Sequence, residues 1–514
     1  MIFKLSLACA FFAICSVETA RILGVFPSPG PSQYILAEAL LVPLVERGHQ
    51  VTVISAFETK TRPNLTNVKF EIKNQKLEGN IFDLQNLLHL QEMSIFRLIV
   101  GMYQVTSCIS EMILSDPKVQ DLIRSNQTFD LVVVEQFHAE GFSAFAEYFE
   151  APLIGFASLG VNEWNAHVVG NPILPSYVPH SLTGYSERMN FYQRSRNTVA
   201  YAFDLLVKYF YSLPEHQRLV DKYFPKKIDI YETMYSPSLM LQNSHPVLTG
   251  ATPLTNAIVE IGGYHVKSKR LPEDIERFLD SADHGAILIS LGSNLKSSKL
   301  PPEVLKGMFE VIRKLKQRVL WKFEADEVPE APDNLYVSKW LPQTDILAHP
   351  NVVGFVSHCG LLSTTEATYY GVPIIAVPFF LDQEGNAKRL VESGAAVYLP
   401  YKHLSESSLH AAVQEILTNK SYRQNAKLRS QLLRDRVVSP LDEAIYWVEY
   451  VLRHGNGRHL RNTVMELSWL QVYLLDVLGV CILALLLFIY AARYATFKLF
   501  SRAGSSVKGK KKKQ

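Results

Sequence analysis

The sequence predicts an α/β protein of two doubly wound parallel-sheet domains facing a cleft, followed by one C-terminal transmembrane helix. Two observations predict the sheets. Strand-like apolar runs alternate with longer helix-compatible stretches over residues 21–265, and the alternation restarts near residue 280. Parallel strands joined by crossover helices follow from that order, and such sheets hold ligands at their carboxyl ends. A third observation predicts the membrane helix: the run from Leu470 to Ala492 is almost wholly apolar and long enough for a bilayer of ~30 Å.

The chain bounds these expectations. At 514 residues it can bury a sizeable core in two or three domains, and 48% apolar with 20% charged residues excludes a disordered or collagen-like chain. The net charge of +3 comes partly from "KGKKKK" at the end, so a nucleic-acid partner has no support.

Residues 1–20 carry one Lys and then a short apolar run, which reads as a secretory signal peptide cleaved near Ala20. In the first domain, 21–265, the strands are "RILGVF", "QVTVIS", "DLVVVEQF" and "APLIGFAS". The loop after the first strand, "PSPGPSQ", is placed where α/β enzymes build ligand sites, yet it offers only Ser28, Ser32 and Gln33. The aromatic and basic stretch 165–240 reads either as helices over an apolar cleft or as plain core packing. His49 reads as structural.

The second domain, 280–434, has strands "AILISLGS", "RVLWKFE", "LYVSKW", "VVGFVSH" and "PIIAVPF", with Pro301 and Pro302 opening a helix. Residues 435–468 read as helices that return to the first domain and lead to the membrane. The span covers 470–492, with Asp476 near its lumenal interface, and 493–514 form a basic tail. Lys and Arg after the span put the tail in the cytosol and the bulk of the chain in the lumen. Lys511 and Lys512 stand where a dilysine endoplasmic-reticulum retrieval signal would, or else form a basic stop-transfer tail. Asn64, Asn126 and Asn419 each begin a glycosylation sequon. Cys108 and Cys359, far apart in sequence, read as two buried thiols rather than one bridge.

The chemistry concentrates between Lys339 and Gln383, "KWLPQTDILAHPNVVGFVSHCGLLSTTEATYYGVPIIAVPFFLDQ". "VVGFVSH" is a buried strand ending at His358, and the following turn opens a helix whose free N–H groups can hold an anion. His358 adds a donor to that anion. Glu366, two turns on, can accept from a ribose diol. Trp340 offers a flat face, and Gln343 a group for a base edge.

These residues resemble the UDP-glycosyltransferases of the GT-B fold, the membrane-bound animal enzymes and especially their insect branch. The resemblance rests on Ser-His-Xaa-Gly, Glu eight residues after the His, Pro373, Pro378 and Asp382-Gln383, and it extends to "RGHQVTVIS", "SLGS", "WLPQ" and the membrane tail. It implies uracil stacking on Trp340 and a uracil-edge contact by Gln343. It gives the diphosphate to Ser357, His358, Gly360 and the "SLGS" loop, where Ser290 and Ser293 are both candidates. It gives the ribose to Glu366 and the sugar hydroxyls to Asp382 and Gln383. Leu362 replaces an Asn that often contributes near the phosphate, which puts one donor contact in doubt.

The implied reaction is inverting transfer from a UDP-sugar co-substrate to a small lipophilic acceptor. Glucose is the sugar the insect branch implies and glucuronic acid the alternative. No Asp-Xaa-Asp motif occurs in the chain, and neither metal nor other cofactor is expected. Detoxification at the endoplasmic-reticulum membrane is the implied setting, and a homo-oligomer is left open.

The family commonly places a basic His in the first loop, oriented by an Asp on a later strand. Here the two positions fall on Gln33 and Glu135. A glutamine amide cannot take up a proton near neutral pH. Glu135 itself, His138, or an acceptor acidic enough to need no base are the alternatives. A catalytically impaired homologue that binds UDP-sugar or lipophiles is the competing reading.

Overall fold

The computed structural model describes residues 19–72, 92–325, 328 and 331–510. Residues 1–18 of the expected signal peptide and the two lysines of the expected retrieval signal lie outside them. Two compact units result, residues 1–461 and 462–514.

The larger unit holds two all-parallel sheets. In the first, of seven strands among the described residues, β1 (Arg21–Phe26) lies between β2 (Gln50–Ser55) and β4 (Leu131–Glu135). Beyond β2 comes β3 (Leu65–Lys69), and beyond β4 come β5 (Leu153–Ala157), β6 (Leu239–Gln242) and β7 (Ile258–Glu260). The second sheet, of six described strands, runs β10 (Leu335–Ser338), β9 (Arg318–Lys322), β8 (Ala286–Ser290), β11 (Val352–Ser357), β12 (Ile374–Ala376), β13 (Ala396–Tyr398). Both orders reverse direction beside the first strand of the sheet, which opens a crevice at the carboxyl ends. β4 and β5 are buried at every position, as continuous apolar runs covered on both faces require.

Apolar helices cover the sheets. Helix α1 (Pro31–Glu46) buries Leu36, Leu40, Leu41 and Leu44 against β1. Helix α2 (Ile95–Ser115) is apolar and long enough to cross a membrane, but 39% of that stretch is buried within the fold. Helix α3 (Phe191–Val207) follows. In the second domain α4 (Leu361–Tyr370) follows β11 and α5 (Gln383–Glu392) follows β12. Helix α6 (Pro440–His454) buries Ala444, Ile445, Val448 and Val451 in the core of the first sheet, although it follows the second in sequence.

In the smaller unit α7 (Leu475–Lys510) carries a strongly apolar stretch, Leu475–Ser501, long enough to cross a membrane. It begins five residues later than the expected start at Leu470, because Leu474 takes a positive φ of 53° and ends the preceding short helix. Asp476 falls in the first turn of α7, where a carboxylate suits the positive end of the helix dipole.

Asn64, Asn126 and Asn419 are all exposed. His49 is buried, accepts the Ala20 N–H at Nδ1 (3.2 Å) and lies 3.7 Å from Glu449 of α6, a structural setting. Cys359 is a buried thiol, whereas Cys108 is only half-buried, which corrects half of that expectation.

Candidate active site

At the carboxyl ends of both sheets lies a cleft of about 350 Å³. β11 and β8 pair with Ser357 opposite Ser290, so the turn carrying His358 and the "SLGS" loop sit side by side. Cys359 closes the turn with a left-handed φ of 64°, an uncommon conformation for a residue with a side chain. Ser357 is fully buried, accepts the Cys359 N–H at Oγ (3.1 Å) and does not line the cleft. Its hydroxyl oxygen helps hold the turn at the position where a diphosphate contact is expected.

His358 is wedged between two glycines. A Cβ on either Gly292 or Gly360 would lie 2.5 Å from its Nε2, so both positions exclude any side chain. Burial, helped by the Lys322 ammonium, lowers the imidazole to about 4, and the ring is neutral at neutral pH. Gly360 then begins α4 without a side-chain cap, which leaves the first N–H groups of the helix unpartnered by a capping side chain. Ser290 is buried and receives the Gly292 N–H, while Ser293 lines the cleft beside it.

At the far end Trp340 is 60% exposed and presents its ring beyond β10. Gln343 donates to Glu366 (2.5 Å) and Ser363 (3.0 Å), and the Thr344 hydroxyl gives Glu366 a second bond (2.7 Å). Burial raises the Glu366 carboxyl, and these donors offset part of the rise. Below β12 the chain turns at Leu381 with φ 53° and delivers Asp382 and Gln383 to the cleft. Gln383 fixes that turn by accepting the Phe379 and Phe380 N–H groups (2.9 and 3.2 Å). Asp382 accepts from Asn386 (2.7 Å), and burial raises its carboxyl to about 6.

Several lining residues escaped the sequence reading, Lys322 and Asn294 among them. Lys322, at the end of β9, is nearly buried and donates to the Gly292 carbonyl (3.0 Å) and to Glu324 (2.8 Å). Its place at the carboxyl end of a parallel strand was the available signal. Asn294 follows the "SLGS" loop and carried none.

A second cavity, of about 310 Å³, adjoins the first and is mostly apolar. The loop Pro27–Gly30, α2 through Leu98, Met102 and Val105, and Phe137 and Phe142 line it. Among the described residues lining it there is neither carboxylate nor imidazole, and Arg97 is the charged one. Stretch 165–240 contributes no described lining residue, so α3 and its neighbours pack elsewhere. Gln33, Asn294, Phe380 and Leu381 line both cavities and mark their junction. The Gln33 carbonyl there accepts the Ser32 hydroxyl (3.0 Å).

The two expected alternatives to Gln33 stand behind this junction. Glu135 ends β4 fully buried, lines neither cavity, and has no completed hydrogen bond at either oxygen. Burial pushes its carboxyl up to about 7, which the Ser158 side chain and the Ser28 backbone offset only in part. His138, with φ 49°, is boxed by Tyr103, Phe137 and Trp164 at ring distances of 4.4, 5.4 and 4.0 Å. It also lines neither cavity, and burial lowers it to about 4.

A family model described as "UDP-glucoronosyl and UDP-glucosyl transferase" matches residues 23–514. UDP-glucosyltransferase 2 of Dactylopius coccus is 36% identical over 524 residues, covering 100% of both chains. UDP-glucuronosyltransferase 1A1 of Mus musculus is 29% identical, covering 99% of this chain and 98% of its own. The mouse 2-hydroxyacylsphingosine 1-beta-galactosyltransferase is 31% identical over 74% of this chain and 70% of its own. Among solved structures, the kitacinnamycin glycotransferase (TM-score 0.58, 18% identity) covers 84% of this chain and 99% of its own. A Polygonum tinctorium UDP-glucosyltransferase (TM-score 0.58, 17% identity) covers 85% and 99%, and at these identities both speak to the fold alone. The chain belongs to the UDP-glucuronosyl and UDP-glucosyl transferase family and is a UDP-sugar glycosyltransferase of the GT-B fold.

Proposed function

We propose that the protein transfers glucose from UDP-glucose, with inversion, to small lipophilic acceptors that ionise or attack without a protein base. The observation that carries this reading is Gln33, which lines donor cleft and apolar pocket alike while no described residue lining that pocket can take up a proton. Trp340 stacks uracil, Gln343 and Glu366 hold uridine, and the α4 N-terminus with His358 receives the diphosphate. Asp382 and Gln383 hold the sugar hydroxyls. The acceptor oxygen or nitrogen bonds to the anomeric carbon as the carbon–phosphate oxygen bond breaks, and UDP leaves with the electron pair. That charge grows at the helix N-terminus and His358, which stabilise the transition state more than the ground state. Burial keeps His358 neutral in the free protein, and the diphosphate charge raises its proton affinity on binding.

Glucose, rather than the glucuronic acid or galactose implied by other relatives' names, is preferred because a UDP-glucosyltransferase is the 36% identical relative matched end to end. The exposed sequons, the apolar helix and the lysines after it support a type I protein of the endoplasmic-reticulum membrane, its catalytic domains lumenal.

The test is turnover. Membranes bearing the protein, given UDP-glucose, UDP-glucuronic acid and a panel of acidic phenols, carboxylic acids, amines and alcohols, should glucosylate the phenols and spare the alcohols. UDP-glucose binding with no product from any acceptor would favour the impaired-homologue reading instead.

A further inference from the structure

Asp382 is held from across the domain interface. It stands at the N-cap of α5, but its side chain caps nothing. One carboxylate oxygen is instead taken by the Asn386 amide (2.7 Å), which also donates to the Cys359 carbonyl (3.1 Å). Asn386 thus brackets the sugar-binding turn to the phosphate-binding turn. Its amide can serve both only with nitrogen toward the two acceptors, because a flip would face its oxygen to a carboxylate and a carbonyl. What prevents the flip is Arg389, whose Nη1 donates to the Asn386 oxygen (3.3 Å). Arg389 in turn is held at Nε by Glu187 (2.6 Å), which belongs to the first domain.

Glu187 sits on a built arm. Its root, His180, is fully buried, with Nδ1 3.2 Å from Glu163 and Nε2 3.7 Å from Asp204. Its tip grips α5 at further points: Lys388 donates to the Gly184 carbonyl (2.7 Å), and the Ser186 hydroxyl donates to Glu392. Gly184 has φ +64°, and a Cβ there would lie 2.7 Å from the Glu384 side chain, so the arm packs closely on the helix. The Arg389 and Glu187 side chains are only 20% and 26% exposed, which favours an interaction stronger than that of a surface pair.

We propose that Glu187 is a positioning residue for the donor sugar: through Arg389 and Asn386 it sets Asp382, so donor recognition in the second domain depends on a side chain of the first. This rests on the reading of Asp382 as a sugar contact. The chain of bonds ends on Asp382 and on the Cys359 carbonyl; the Ser357 hydroxyl holds the Cys359 turn independently, and Trp340, Gln343 and Glu366 are untouched. Loss of these bonds should therefore weaken recognition of the sugar and leave recognition of UDP intact.

The experiment compares two constants on the full-length protein in membranes: KM for UDP-glucose and the inhibition constant of UDP. Glu187→Gln should raise the first by about tenfold, the size of one hydrogen bond to a charged group, and leave the second within about twofold. Arg389→Lys, which keeps the charge and cannot bond Glu187 and Asn386 with two guanidinium nitrogens at once, should do the same. Glu187→Asp should recover part of the loss. Retained UDP inhibition also reports that each variant is folded. Equal rises in both constants, or no change in either, would overturn the proposal. Asp382→Asn separates it from the reading beneath it. If Asp382→Asn changes the ratio of the constants and Glu187→Gln does not, the positioning role alone fails. If Asp382→Asn leaves the ratio unchanged, the sugar-contact reading falls and the proposal with it.

Discussion

The donor cleft and the apolar pocket meet at Gln33, Asn294, Phe380 and Leu381 and are built in opposite ways. In the cleft the polar side chains of the motif hold one another or the backbone: Glu366 is bonded by Gln343 and Thr344, Gln383 by two backbone N–H groups, and Asp382 by Asn386. His358 lies so close to Gly292 and Gly360 that a Cβ on either would reach 2.5 Å from its ring. The pocket is shaped by Met, Leu, Val and Phe, with Arg97 as its described charge. Recognition by fixed polar groups is specific and costly to lose, whereas an apolar pocket separates ligands by size and shape. Damage on the cleft side should thus be independent of the acceptor, and damage at the junction should depend on it.

The largest effect is expected at His358. His358→Ala should lower turnover about 10²–10³-fold, the scale seen when one preorganised donor to a developing charge is removed, and by the same factor for every acceptor. Gly292→Ala should reproduce much of it, since φ +88° disfavours a side chain and the new Cβ would displace the imidazole. A loss that varied with the acceptor would blur the division between the two cavities.

Gln33→His should act in the opposite sense and selectively. A base of the kind it supplies contributes 10²–10⁴-fold, so alcohols should gain tenfold or more while acidic phenols change little. Equal gains on both would mean that Gln33 acts through the donor side. Trp340→Ala should raise KM for UDP-glucose by about tenfold, the worth of a base stacking on an aromatic ring, with acceptor KM unchanged.

Smaller effects follow from the two buried carboxyls. Asp382 must be ionised to accept a sugar hydroxyl with full strength, and burial sets it at about 6. KM for UDP-glucose should rise as pH falls through 6, more steeply than the inhibition constant of UDP. Glu135 is raised from its ordinary 4.5 to about 7, so the folded state holds its proton more tightly than the unfolded chain. The stability associated with that proton is complete below 4.5 and is lost as pH rises to 7. Glu135→Gln should therefore stabilise the protein relative to wild type as pH climbs through this window, by at most about 3 kcal/mol, and by no more above it. Calorimetry of the detergent-solubilised protein at pH 5 and 8 would check the sign.

How much of this was legible in the sequence follows the same division. The cleft could be read because its chemistry is local: Trp340, Gln343, His358, Glu366 and Asp382 fall within 43 consecutive positions, each needing its own side chain. The pocket could not, because its walls come from residues 27–33, 93–110, 137–142, 294 and 380–381, and apolar side chains carry no mark of which cavity they face. Within the folds, β6, β7 and β13 escaped notice as runs of three or four residues, whereas the equally short β10 and β12 were read from the longer strand-like stretches that contain them, and β3 escaped because its alternation is polar. Ser357 illustrates a further limit: motif position gave no sign that its hydroxyl also braces the turn that presents His358. Asp382 was visible from its motif, whereas Asn386 and Glu187, the latter about two hundred positions away and in the other domain, became visible only when the chain was folded.

The central claim is that no side chain at the junction removes the acceptor's proton. The measurement that tests it most directly is kcat/KM against pH for two phenols of similar shape whose own pKa values differ by about two units, with UDP-glucose saturating. The account predicts two curves, each rising along its phenol's ionisation and displaced by that same interval, in wild type and in Glu135→Gln and His138→Ala alike. A single curve shared by both phenols, abolished in Glu135→Gln or His138→Ala, would contradict it and assign the base to that residue.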